Sequence, residues 1–204
     1  VTNPSIAIAP SIAEYFDEVV TDALRSRRIE ATPAASHYIV ELLVSYAHPD
    51  EDSGRAFDRP LTFQLQDALQ ATGAERFRRL RALGDGVLYA LGFFGDHIEG
   101  RGVDRGYVVT VGTTAYSSAA SMMLRPLHAP APEGPDVLGE LAAKFDRFAR
   151  VLADVAESAM AKAARDDGAV VRLYERWLKT GSGRLAEELG ARGLVPARGS
   201  GGLN

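Results

Sequence analysis

The sequence has no cysteine. That excludes a disulfide framework, thiolate metal ligands and a cysteine nucleophile, and it suits a cytoplasmic protein. A basic excess is missing too: 23 Lys and Arg stand against 27 Asp and Glu, for a formal net charge of -4. No overall positive field is available to hold nucleic acid or an anionic membrane, so nucleic acid is a disfavoured partner. There is no long, uniformly apolar run. The longest uncharged stretch, 106–124, carries six Ser or Thr residues and two glycines, which argues against a membrane span. The opening VTNPSIAIAPSIAEYF has no basic region leading into an apolar run, so it does not read as a secretory signal. Also absent are the HExxH, EF-hand, GxSxG, GxGxxG and GxxxxGKS patterns.

What is present points to helices. Hydrophobic residues make up 46% of the 204 and charged residues 25%, enough for one folded domain with a substantial core. The expected fold is all-α: a single-domain bundle of about seven or eight helices. A flexible arm covers 1–10, a helical domain 11–190 and a flexible tail 191–204.

Local signals place the helices. Ser11 and Glu14 form a capping box ahead of Ile12, Phe16, Val19 and Ala23. Thr32-Pro33 starts a second helix, apolar around much of its surface, that runs past Tyr38 to Tyr46. A polar loop follows at 48–54. Pro60 and Thr62 open a third helix carrying Phe63, Leu65, Ala68 and Leu69. After Ala71-Thr72-Gly73, a fourth helix turns Phe77, Leu80 and Leu83 inward and Arg76, Arg78, Arg79 and Arg81 outward. It continues through Gly84 and Gly86, each costing about 1 kcal/mol relative to alanine, so close helix contact is the expected compensation. Asp104 caps a fifth helix with Val108, Gly112, Ala115, Ala119 and Met122 as its stripe, although residues 107–111 also have strand propensity.

Four prolines and a glycine make 126–135 a loop. Asp136 then caps a continuous sixth helix, whose Leu138, Leu141, Phe145, Phe148, Leu152, Val155 and Ala159 form a bundle seam. It ends at Asp167-Gly168. A seventh helix holds Val170, Val171, Leu173, Tyr174, Trp177 and Leu178. Thr180 to Gly183 breaks it before a short eighth at 184–189.

The chemistry-bearing residues concentrate at 83–124. Asp85, Tyr89, Gly92 and Asp96 share one helical stripe, with His97 next to it and Tyr116 on the following helix. A carboxylate among Leu83, Val87, Leu88 and Leu91 is costly to bury unpaired. Asp85 therefore reads as a helix cap, as one half of an ion pair, or as a pocket acid with a raised pKa. Weaker metal candidates are His37 with Glu41, one helical turn apart, and His97 with Glu99. There is no Glu-x-x-His of the di-iron bundle kind. No cofactor is predicted; a haem with one axial histidine or a divalent metal stays open by spacing. The arginines at 76–81 form a candidate interaction face.

LGDGVLYALGFF at 83–94, followed by DRGYVVTVGTTAYSSAA at 104–120, resembles a pattern in uncharacterised bacterial proteins of similar length. The resemblance spans about 14–124 and extends to YERWLKTGSGRLAEEL at 174–189. It implies a bacterial, cytoplasmic, largely helical protein and carries over no activity and no catalytic residue. Two functions are therefore expected to compete. One is a non-catalytic protein-interaction or regulatory module, which binds a protein partner or itself as a homodimer. The other is a small-ligand, metal or haem enzyme with a pocket around Asp85, Tyr89, Asp96 and His97.

Overall fold

The computed structural model describes residues 8–47, 59–123, 134–163 and 167–194. All regular structure among them is helical, in nine elements: α1 (Ile8–Ser26), α2 (Pro33–Ala47), α3 (Leu61–Gln70), α4 (Gly73–Gly100), α5 (Arg105–Met123), α6 (Val137–Ala143), α7 (Phe145–Ala163), α8 (Asp167–Thr180) and α9 (Gly183–Ala191). None of these helices is long and apolar enough to cross a membrane. The loop expected at 48–54 and most of that at 126–135 lie outside the described residues, as do most of both terminal segments.

The caps explain most boundaries. The Thr32 hydroxyl accepts from the Ala35 amide at 3.2 Å and starts α2. Asp104 Oδ1 accepts from the Tyr107 amide at 2.7 Å and starts α5. That capped start carries helix through 107–111 against the strand propensity of its valines. Asp136 Oδ1 accepts from the Gly139 amide at 2.8 Å, as its position ahead of the seam suggested. The first helix departs from expectation: it already begins at Ile8, so Ser11 lies inside it rather than at its cap. It ends where Arg28 adopts a φ of 53°. There the Ile29 amide reaches back to the Leu24 carbonyl at 3.0 Å, which closes the helix with satisfied carbonyls.

The continuous sixth helix is also revised. Lys144, at φ -114° and ψ 21°, separates α6 from α7. The hydrogen-bond ladder survives this distortion: the Lys144 amide bonds the Glu140 carbonyl and the Phe148 amide bonds the Lys144 carbonyl, both at 3.0 Å. No glycine or proline marks the position. Instead the Lys144 ammonium is held by the Glu30 carbonyl at 2.7 Å and by Glu140 at 2.9 Å. Two large apolar side chains of these helices are exposed, Phe63 on α3 and Met122 at the end of the α5 stripe. On α3 the buried stripe is Leu61 and Ala68, seven residues apart, and Phe63 falls on the opposite side.

The chain divides into two compact units within α7, after Ala153. In the larger, residues 1–153, α4 and α5 pack closely through small residues. A Cβ added at Gly84 would come within 2.6 Å of the Tyr116 ring, and one at Gly112 would overlap the Phe145 ring. Close contact is thus what the helix-interior glycines provide. The seam residues Leu138, Leu141, Phe145, Phe148 and Leu152 are all buried within this single chain. The smaller unit, 154–204, has its own apolar cluster of Ala161, Leu173, Trp177, Leu185 and Leu189.

Candidate functional site

Asp85 is the polar centre of the larger unit. It lies midway along α4, facing α2 and α5, with its side chain 19% exposed. Its Oδ1 accepts two phenol hydrogens, from Tyr38 on α2 at 2.6 Å and from Tyr116 on α5 at 2.7 Å. Its Oδ2 lies 3.6 Å from Nε of Arg81, one turn earlier on α4. Arg81 Nε also donates to the Tyr38 hydroxyl at 2.8 Å, and the guanidinium sits 5.1 Å from the Tyr38 ring centre. One acid therefore joins three helices, with the phenolic hydrogens of Tyr38 and Tyr116 directed at it.

The electrostatics follow from burial. Desolvation raises the Asp85 carboxyl above its usual range, against the opposing hydrogen bonds of Tyr38 and Tyr116 and the charge of Arg81. Burial, with the nearby carboxylate, pushes the Tyr38 and Tyr116 phenols well up. Tyr46, pushed to about 12 by burial and by the charge of Asp85, likewise stays protonated. The Tyr38 and Tyr116 phenols are fixed donors near neutral pH, not proton-transfer groups.

Beside the network lies a half-open pocket of about 310 Å³ between α2, α4, α5 and the start of α6. Its wall is mostly apolar, formed by Phe77, Ala120, Met123, Val137 and Leu138, with Tyr38 and Arg81 at the polar side. Arg81 spends Nε on Tyr38 and Asp85, and no described residue takes up either terminal nitrogen.

The expected pocket around Asp85, Tyr89, Asp96 and His97 is not assembled. Of the sequence candidates, only Asp85, Tyr116 and Arg81 meet. Tyr89 stands in an aromatic stack, 4.1 Å from the Tyr46 ring centre and 4.5 Å from that of Phe93. A non-helical Phe94, at φ -126° and ψ 18°, kinks α4 and breaks the stripe before Asp96. Asp96, His97 and Glu99 lie exposed beyond that kink, with Glu99 3.6 Å from Arg105. His37 and Glu41 are exposed on α2. Among the described residues no three His, Asp or Glu side chains converge, so the weak metal pairs are not brought together. The arginine face is divided as well: Arg78 and Arg79 pair with Glu75, at 2.5 and 2.6 Å, whereas Arg81 belongs to the Asp85 network. The Arg76 Nε is buried without a partner.

Sequence reasoning missed Tyr38 and the pocket's apolar wall. The signal for Tyr38 was indirect. A core acid needs donors, and Tyr38 is a hydroxyl-bearing residue on a helix otherwise apolar enough to be central.

The fold and site define an all-α protein with a tyrosine-braced acid beside an apolar pocket. Compared with known proteins, the chain matches no protein-family model, no curated protein and no solved structure.

Proposed function

We propose that the larger unit is a non-catalytic ligand-binding module with a regulatory role, and that its ligand is a small molecule held against Phe77, Met123, Val137 and Leu138. The observation that carries this reading is the 310 Å³ pocket, with a mostly apolar wall and a few converging polar groups. Binding is favoured over catalysis because Asp85 is already committed. Its Oδ1 holds two phenols at 2.6 and 2.7 Å, so it does not stand free as a base.

The ligand reading also draws support from what the competing one lacks. Self-association through the seam would need an open apolar stripe, yet Leu138 to Leu152 are covered within one chain. A partner would have to use other residues, such as Phe63 or Phe94, and single exposed aromatics are ordinary on soluble surfaces. With this reading we keep the bacterial, cytoplasmic setting that the 83–124 resemblance implies.

The test is ligand-observed and amide NMR on the full chain with a panel of small amphipathic molecules. Binding should shift the amides of Phe77, Met123 and Val137, and Ala120→Phe should abolish it. Shifts confined to other surfaces, or no binding across the panel, would overturn the proposal. Mapping the shifts on the unsubstituted chain decides the matter even where Ala120→Phe fails to fold.

A further inference from the structure

We infer that the pocket selects an amphipathic anion, a carboxylate on an apolar chain, read by the two terminal nitrogens of Arg81. This inference rests on the pocket being a binding site and adds the chemical class of what it binds.

The argument is an accounting of hydrogen-bonding capacity at the pocket. Tyr38 is saturated: its hydroxyl donates to Asp85 at 2.6 Å and accepts from Arg81 Nε at 2.8 Å. Tyr116 donates to Asp85 at 2.7 Å. Asp136, the other charged side chain among the described residues of the wall, caps α6 through the Gly139 amide at 2.8 Å, where the positive end of the helix offsets its charge. Among the described residues the wall keeps one side-chain acceptor, Asp136 Oδ2, and the donor capacity of the two outer amino groups of Arg81, and only the donors can pair with an anion. Their fork geometry matches the two oxygens of a carboxylate.

The guanidinium is also held in place. Nε is fixed by Tyr38 and faces Asp85 Oδ2 at 3.6 Å, while the side chain as a whole stays 52% exposed. Asp85 therefore acts on a ligand only through Arg81, as a positioning residue. A preoriented arginine loses less freedom on pairing than a free one. The apolar part has its own partners in Phe77, Met123, Val137 and Leu138. Water filling 310 Å³, on the order of ten molecules, has little to bond to on that wall and is readily displaced by an alkyl chain.

Decanoate, decanol and decyltrimethylammonium, each kept below its micelle concentration, separate the outcomes by calorimetry or amide shifts on the full chain. Decanoate should bind tightest. Arg81→Gln should weaken decanoate at least about tenfold, the loss of a charge-assisted hydrogen bond, and should change decanol far less. Arg81→Lys should restore only part of the loss, because it keeps the charge without the fork. Raising the salt concentration should weaken decanoate and leave decanol unmoved. Equal binding of decanol, tighter binding of the cation, or decanoate affinity unaffected by Arg81→Gln would each overturn the anion inference while leaving the pocket intact. If none of the three probes shifts the pocket amides, the binding-site reading itself fails. Arg81 is largely exposed, so both variants should fold, and their circular dichroism checks this.

Discussion

Each unit has a carboxylate that braces three of its helices, and the two are used differently. In the larger unit Asp85 on α4 ties down Tyr38 from α2 and Tyr116 from α5. In the smaller unit Glu157 on α7 accepts from the Ser182 hydroxyl at 2.6 Å and lies 3.7 Å from Arg176 on α8. Ser182 in turn caps α9 through the Leu185 amide. Both acids are cross-braces between three helices. The difference lies in the arginine. Arg176 is 18% exposed and turned into its own brace, whereas Arg81 is 52% exposed and stands on a pocket wall with two nitrogens to spare. A buried acid is therefore not in itself a sign of function. It becomes one where its cation is held in place but not used up.

Substitutions can break or sharpen that contrast. The largest effect is expected from Glu157→Ala, which leaves Arg176 without its carboxylate and Ser182 without an acceptor. Removing one member of a buried pair costs about 3 kcal/mol. In urea denaturation the Trp177 fluorescence transition should move to lower concentration, while decanoate affinity stays unchanged. A loss of affinity would erase the distinction drawn between the two acids.

Tyr116→Phe should come next. It removes one of the two phenols from Asp85 and nothing else of size, for a loss of about 1–2 kcal/mol by thermal or chemical denaturation. Because Tyr38 and Arg81 remain, the pocket should keep its ligand. A stability equal to the parent's would mean that the Tyr116 bond adds nothing to the brace.

The smallest effect is the pH dependence contributed by Asp85. Burial raises its folded-state pKa above the ordinary 3.8. The folded protein therefore holds that proton more tightly than the unfolded chain. The associated stability is fully present below 3.8 and is lost as pH rises through the folded value. The slope is at most about 1.4 kcal/mol per pH unit. Asp85→Asn keeps an acceptor oxygen for both phenols and removes the titration, so its stability relative to the parent should rise with pH over that window. A constant difference between the two curves would show that Asp85 titrates alike in the folded and unfolded states. Asp146 and Glu140 contribute with the opposite sign. Burial raises both, but Arg105 and Arg150 outweigh it at Asp146, and Thr32 and Lys144 outweigh it at Glu140, so both carboxyls are lowered. Their share is common to parent and variant and cancels in the difference.

How legible each part was depended on the range of the interactions behind it. Asp104 and Asp136 were read correctly as caps because a cap bonds an amide three residues on. The seam from Leu138 to Leu152 was readable because burial of one helical face leaves a period in the sequence. Gly84 and Gly112 announced close packing because nothing else repays glycine inside a helix. The break at Lys144 was hidden: no glycine or proline marks it, and the Lys144 ammonium bonds the Glu30 carbonyl, 114 residues away in sequence. The division after Ala153 falls inside a helix with no change of composition to mark it.

The sequence by itself determined the class of this protein: helices throughout the described residues, their caps and their buried faces, and Asp85 as an acid that needed partners. All of these follow from contacts within a few turns of chain. Only the tertiary structure decided what those partners are. Tyr38 lies 47 residues from Asp85 and Tyr116 lies 31, and their hydroxyls meet it only after α2, α4 and α5 have packed. Helical periodicity tells which face turns inward. It does not tell which two faces meet, and the pocket beside Arg81 exists only where they do.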